Sequence, residues 1–251
     1  MLEVTDAGKS FDNQTIFKAF NLTVQPGQFT VLVGPSGCGK STLFNGLTGI
    51  TALDRGTIFW KGRPLDHVQN HAAYIQQKDL LLPWFTLLDN SLLPARTRKT
   101  RSFDIKKDKA LAKTLFERLG LKGYENHYPN QVSGGMRQRC ALVRTLIFRR
   151  ELILLDEPLS ALDAITRQGL QTLLLMLQSE FSKTILMITH DIEEALVLGD
   201  EICLLGPRPM SIVERFVPRL PKPRAFDHPD LIAAKAHMMT RLQEDIDHVK
   251  G

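Results

Sequence analysis

The 251 residues are 43% hydrophobic and 24% charged with a net charge of +5, an ordinary globular composition in a chain long enough to bury a full core. That modest charge, with a pI near 9.2, gives no argument for a nucleic-acid partner. Three scattered cysteines exclude a disulfide framework or a zinc cluster. No secretory pattern stands at Met1–Ser10, and no apolar run approaches the roughly 18 residues that span a bilayer, so a reducing cytoplasm is expected.

Strand-like alternation marks Leu2-Glu3-Val4 and Phe20–Val24, followed by a turn at Gln25-Pro26-Gly27-Gln28 and a buried strand at Phe29–Val33. Phe11 is either a core aromatic or a face for a nucleotide base. Gly34-Pro35-Ser36-Gly37-Cys38-Gly39-Lys40-Ser41-Thr42 then fits G-x-x-x-x-G-K-[ST], between a strand and a helix that opens at Thr42. Its glycines let backbone N–H groups converge on phosphate oxygens, and the helix N-terminus adds a favourable dipole. Lys40 is placed to reach β- and γ-phosphates and Ser41 to ligate Mg²⁺. Alkylation of Cys38 is expected to block the loop.

Asp54-Arg55-Gly56 reads as a turn, Thr57–Trp60 as a strand, and Ala73–Gln77 as an extended piece. Leu80–Phe85 is apolar but broken by Pro83, either a satellite core or an exposed docking patch. Helices are expected over Asp104–Leu119, Met136–Phe148, Ile165–Leu177, Ile192–Leu198 and Leu231–Val249, and strands over Leu152–Leu155, Thr184–Thr189, Ile202–Leu205 and Ile212–Val213.

Asp156 and Glu157 end an apolar strand where ligands of doubly wound sheets sit: Asp156 as Mg²⁺ partner, Glu157 as general base. Ser133-Gly134-Gly135 opens a helix, either simply capped or a second phosphate half-site serving a neighbouring subunit. His190 ends another strand and, like Gln77, could orient water or the γ-phosphate; the Gln77 amide could also meet Mg²⁺.

In this order the motifs resemble the ATP-binding subunit of ABC transporters over residues 1–205. Gly34–Thr42 is similar to the Walker A motif, Gln77 to the Q-loop glutamine and Val132–Met136 to the signature. Leu152–Asp156 is similar to the Walker B strand, Glu157 to its catalytic glutamate and Ser160–Asp163 to the D-loop. His190 is similar to the switch histidine and Phe11 to the base-stacking aromatic. Leu81–Trp84, Ser133–Arg139, Thr189–Ala195 and the segments around Pro207–Pro209 and Leu220–Arg224 resemble the nitrate/sulfonate/taurine-type importers and the related importers of pyrimidine thiamine precursors. Val132 and Met136 depart from the usual Leu and Gln; the Met136 side chain has no amide with which to hydrogen-bond a ribose.

The resemblance implies an α/β, RecA-like P-loop core with an antiparallel β subdomain from residues 1–30 and 55–75. It implies a helical subdomain over about 78–150 within an ATPase domain of residues 1–217, and a tail of 218–251 with an amphipathic helix. It further implies ATP and Mg²⁺ as ligands, with each nucleotide sandwiched between one copy's P-loop and the other's Ser133–Gly135 and Asp163. The implied partners are a second copy, a permease at the cytoplasmic face of the inner membrane, whose helix the Leu80–Phe85 loop would receive, and indirectly a solute-binding protein. A small anionic or heterocyclic solute is expected. A non-transport ABC ATPase of DNA repair or translation is disfavoured by the single P-loop and the absence of a long heptad run or cysteine cluster.

Overall fold

The computed structural model describes residues 1–76, 81–97, 104–160 and 162–250, with side chains for all of these but Thr97 and 246–250. Two sheets organise it. An antiparallel sheet contains β1 (Leu2–Phe11), β2 (Gln14–Val24), β4 (Arg55–Trp60) and β5 (Arg63–Leu65) in the order β2-β1-β4-β5. The second contains β3 (Phe29–Val33), β6 (Ala72–Ile75), β7 (Leu152–Asp156), β8 (Thr184–Thr189), β9 (Glu201–Leu205) and β10 (Ile212–Phe216) in the order β10-β9-β3-β8-β7-β6. All its pairs are parallel except β9–β10 at one edge.

Every residue of β3, β7 and β8 is buried, as strands covered on both faces require. Their alternation sorts side chains into two cores. Phe29, Val31, Val33, Ile153, Leu155, Ile185 and Met187 face one cluster with α4 (Ile105–Arg118), α5 (Gly134–Ile147), α6 (Ala164–Ser179) and α7 (Ile192–Leu198). Leu32, Leu152, Leu154, Leu186 and Ile188 face the other, where α1 (Lys40–Thr48) lies with the antiparallel sheet. Leu43, Phe44 and Leu47 of α1 are fully buried there beside Leu22 and Ile58.

The first strands are far longer than their sequence pattern suggests. β1 and β2 form a hairpin through Asp12 and Asn13, both at positive φ (45° and 65°), a two-residue turn that Asp and Asn tolerate. The expected turn at Asp54-Arg55-Gly56 is corrected: Arg55 pairs with Gly8 and begins β4. The antiparallel layer also contracts from the expected 1–30 and 55–75 to residues within 2–24 and 55–65. Phe29 belongs to the fully buried β3, and Ala72–Ile75 pair in parallel with β7 as an edge strand of the larger sheet.

Two short helices, α2 (Leu87–Ser91) and α3 (Leu93–Thr97), escaped sequence analysis. Fully buried Asn90 explains how the preceding loop is held. Its Oδ1 accepts from Leu82 N at 2.7 Å, and its Nδ2 donates to the carbonyls of Leu82, Phe85 and Thr86 at 3.0–3.1 Å. Of the apolar loop, Leu81 is therefore core while Trp84 stays 66% exposed; Leu80 lies outside the described residues. The final helix, α8 (Pro229–Lys250), sinks Leu231, Ala234 and Met238 into the helix-side core. The segment leading to it is tied down by Lys222 on Asp200 (2.7 Å) and by Arg224 on the carbonyls of Leu196 and Gly199.

Asn90→Ala would strand several buried backbone groups at once. It is expected to lower unfolding stability in urea by about 2–4 kcal/mol without changing the fold at low denaturant.

Candidate nucleotide site

The loop Gly34–Gly39 leaves the carboxyl end of β3, central in its sheet, and feeds α1. A Cβ on Gly34 would stand 2.7 Å from the Leu205 carbonyl oxygen of β9, and Gly39 has φ +131°, so both positions need glycine. Lys40 is buried, its ammonium donating to the carbonyls of Gly34 (2.8 Å) and Pro35 (2.9 Å), which curls the loop around the charge. Ser36 and Gly37 remain exposed, and Thr42 is half-buried on α1. Cys38 is only 3% exposed and burial pushes its thiol pKa up, so the expected alkylation site is closed.

Ser41 Oγ donates to Asp156 Oδ1 at 3.4 Å, joining α1 to the end of β7. The phenol of Tyr74, on the neighbouring strand β6, donates to Asp156 Oδ2 at 3.0 Å. Burial raises the Asp156 carboxyl pKa, and the Tyr74 hydrogen bond only partly opposes this. Its negative charge is thus incompletely compensated. A hydroxyl and a carboxylate are hard oxygen donors, so Ser41 and Asp156 fit Mg²⁺, which retains water and phosphate ligands. Gln77, the third expected metal and catalytic contact, lies outside the described residues.

Glu157 has φ 45°, unusual for a side chain with a Cβ, and its N–H donates to Ile188 O on β8 at 2.9 Å. This turn places its Oε2 3.1 Å from Nδ1 of His190. The two residues expected separately at strand ends therefore form one pair. Behind them Thr189 Oγ1 donates to Glu194 Oε2 at 2.7 Å and accepts from Asp191 N, fixing the start of α7.

The expected Ser133–Gly135 element opens α5, which packs on the other face of the large sheet. Ser133 caps α5, its Oγ accepting from Met136 N at 3.3 Å. Gly134 and Gly135 follow, and a Cβ on Gly135 would meet Thr166 Cγ2 of α6 at 2.5 Å. Asp163 caps α6, and the Thr166 N–H and hydroxyl hold its carboxyl below the usual range. Ser133–Gly135 and Asp163 thus form one surface, α5 belonging to the helix-side core and the P-loop helix to the opposite one.

Phe11 is 45% exposed at the end of β1, with Lys9 Nζ 5.0 Å from its ring centre, which rules out the core reading. Tyr74, Asn90 and Arg208 are functional candidates that sequence reasoning missed. Tyr74 alone had a usable signal, its place near the end of a strand bound for the same sheet edge.

A phosphate loop after the central strand of a parallel sheet, with an acidic pair at the end of a nearby strand, defines a P-loop ATPase. The chain belongs to the ABC transporter family, whose family model matches residues 17–160. It is 36% identical, over 97% of both chains, to an aliphatic sulfonates import ATP-binding protein of Pseudomonas syringae pv. syringae (strain B728a). It is 35% identical to the taurine import ATP-binding protein of Escherichia coli O157:H7, over 97% of this chain and 98% of that one. Among solved structures, a bacterial ABC transporter cassette in dimeric form matches with a TM-score of 0.77 and 27% identity, over 88% of this chain and 100% of the other. A dimeric post-hydrolysis state of that cassette, bound to ADP and Pi, matches with a TM-score of 0.76 and 26% identity, over the same shares.

Burial pushes the Glu194 carboxyl up to about 7, against the Thr189 hydrogen bond and helped by Asp191. The folded state therefore holds a proton that the unfolded chain has released above about pH 4.5, and stability falls as pH rises toward 7. Glu194→Gln is expected to flatten the decline in melting temperature between about pH 5 and about pH 8. Parallel curves for parent and variant would count against this origin.

Proposed function

We propose that this chain is the ATP-hydrolysing subunit of an ABC importer, acting as a head-to-tail dimer. The observation that carries the reading is the split of two anion-binding ends, P-loop and Ser133–Gly135, between opposite faces of one sheet. One copy's loop and a second copy's α5 N-terminus together supply the charge and N–H groups that a triphosphate needs on two sides.

Lys40 and the loop amides hold the β- and γ-phosphates, and the Phe11 face lies open to the base. Ser41 and Asp156, with Gln77, would hold Mg²⁺, which neutralises phosphate charge when bound. Glu157 takes a proton from water as the water oxygen bonds to the γ-phosphorus. The bond from that phosphorus to the bridging oxygen breaks, leaving ADP and phosphate. His190 keeps the Glu157 carboxylate aimed, and cross-interface contacts to the γ-phosphate couple nucleotide state to closing of the dimer.

Exposed Trp84, on a loop locked by Asn90, supports docking of a permease helix, with this subunit held at the cytoplasmic face of the inner membrane. Among the described residues no helix is long and apolar enough to cross a membrane. Relatives named for aliphatic sulfonates and taurine support a small organic sulfonate, delivered to the permease by a solute-binding protein.

Glu157→Gln is expected to cut steady-state phosphate release by about 10²–10⁴-fold while ATP binding persists. Undiminished turnover would remove Glu157 as the base. Recovery of the tagged chain with a multi-span permease from gently solubilised membranes supports transport; recovery only with ribosomes or repair factors overturns it.

A further inference from the structure

We infer that Arg208 is a nucleotide-positioning residue, its guanidinium meeting the α-phosphate at the nucleoside end of the P-loop. This rests on the P-loop reading above and assigns one more contact to the same site.

A cleft of about 480 Å³ at the mouth of the loop is lined by Pro35, Ser36, Gly37 and Cys38 on one side and by Pro207 and Arg208 on the other. Burial raises the Cys38 thiol pKa, and the Arg208 charge is among those that oppose the rise, so its field reaches the loop. The segment carrying Arg208 is held in place. Gly206 N donates to Ser211 O, Met210 N donates to Ile16 O at 2.7 Å, and the buried Met210 Sδ lies 3.5 Å from where a Cβ on Gly39 would stand. Arg208 itself stays exposed, with Nη1 donating to Gln14 Oε1 at 3.1 Å. Gln14 is the cross-strand partner of Phe11. One guanidinium therefore spans the gap between the phosphate loop and the hairpin that presents the aromatic ring.

Sheet order sets which end of the nucleotide this is. β3 lies between β8 and β9. Asp156, Glu157 and His190 leave β7 and β8 on one side, which marks the γ-phosphate end. Arg208 follows β9 on the other side, with Phe11 beyond it. A nucleotide running from the acidic pair to the aromatic ring passes Arg208 at its α-phosphate. The Gln14 contact is an exposed, uncharged-acceptor hydrogen bond and by itself adds little to stability. Five fixed N–H donors suit a phosphate better than one amide oxygen.

The test measures affinity for ADP and for a non-hydrolysable ATP analogue by calorimetry on the full chain. Arg208→Gln, Arg208→Lys, Gln14→Ala and Lys40→Ala are compared at matched melting temperature. Arg208→Gln is expected to weaken both nucleotides equally, by about tenfold, the value of one charge-assisted hydrogen bond. Arg208→Lys should recover part of the loss, and Gln14→Ala should stay within about twofold of the parent. The inference is overturned by unchanged affinity in Arg208→Gln, by a loss confined to the ATP analogue, or by an equal loss in Gln14→Ala, which would make Arg208 a hairpin clamp. Intact binding in Lys40→Ala would instead remove the P-loop reading and this contact with it.

Discussion

Burial of β3 on both faces is the constraint on which the rest depends. Phe29, Val31 and Val33 point into one core and Leu32 into the other, so the strand can slip neither along nor out of the sheet. Its carboxyl end is therefore a fixed point, and Gly34, pressed against the backbone of Leu205, leaves it in only one direction. α1 is clamped between the two sheets through Leu43, Phe44 and Leu47. A loop that must present N–H groups and a lysine to a polyanion is thus held at both ends by hydrophobic packing, and little ordering remains to be done when a ligand arrives.

The same sheet brings the acidic groups to that point. Parallel pairing puts Asp156 opposite Ile188, so residues one or two beyond each strand emerge side by side. The left-handed turn at Glu157 then swings its carboxylate onto His190 rather than toward Asp156. Two adjacent carboxylates acquire different environments this way. Asp156 is hydrogen-bonded by Ser41 and Tyr74 among buried neighbours, while Glu157 lies beside an imidazole at the open edge. That division suits the separate tasks proposed above, holding a cation and accepting a proton. Ser133–Gly135 lie beside Thr166 and Asp163 on the α5–α6 side of the large sheet, opposite the P-loop helix.

The parts of this site carried by local spacing were legible in the sequence. The P-loop, the strand ending in Asp156-Glu157 and the helix opening at Ser133 are each specified within about ten residues. Contacts made by register were not. Tyr74 meets Asp156 only because β6 pairs with β7, and Arg208 meets Gln14 across most of the chain, with no periodicity linking them. The long hairpin was missed because register shifts along β1 break the strict alternation a strand should show. The Leu81–Phe85 loop is mixed in fact as in pattern, since Asn90 pins its backbone while Trp84 faces outward.

The composite site is the central claim, and an inter-copy cross-link tests it most directly. Ser36→Cys and Ser133→Cys, each in a Glu157→Gln background, place one thiol at an exposed position on each half-site, and all three native cysteines are buried. The two chains are mixed with ATP and a mild oxidant and run under non-reducing conditions. A species of twice the chain mass, formed only in the mixture and only with ATP, is the predicted result. An ATP-independent product, or none while ATP is bound, would contradict a nucleotide shared between two copies.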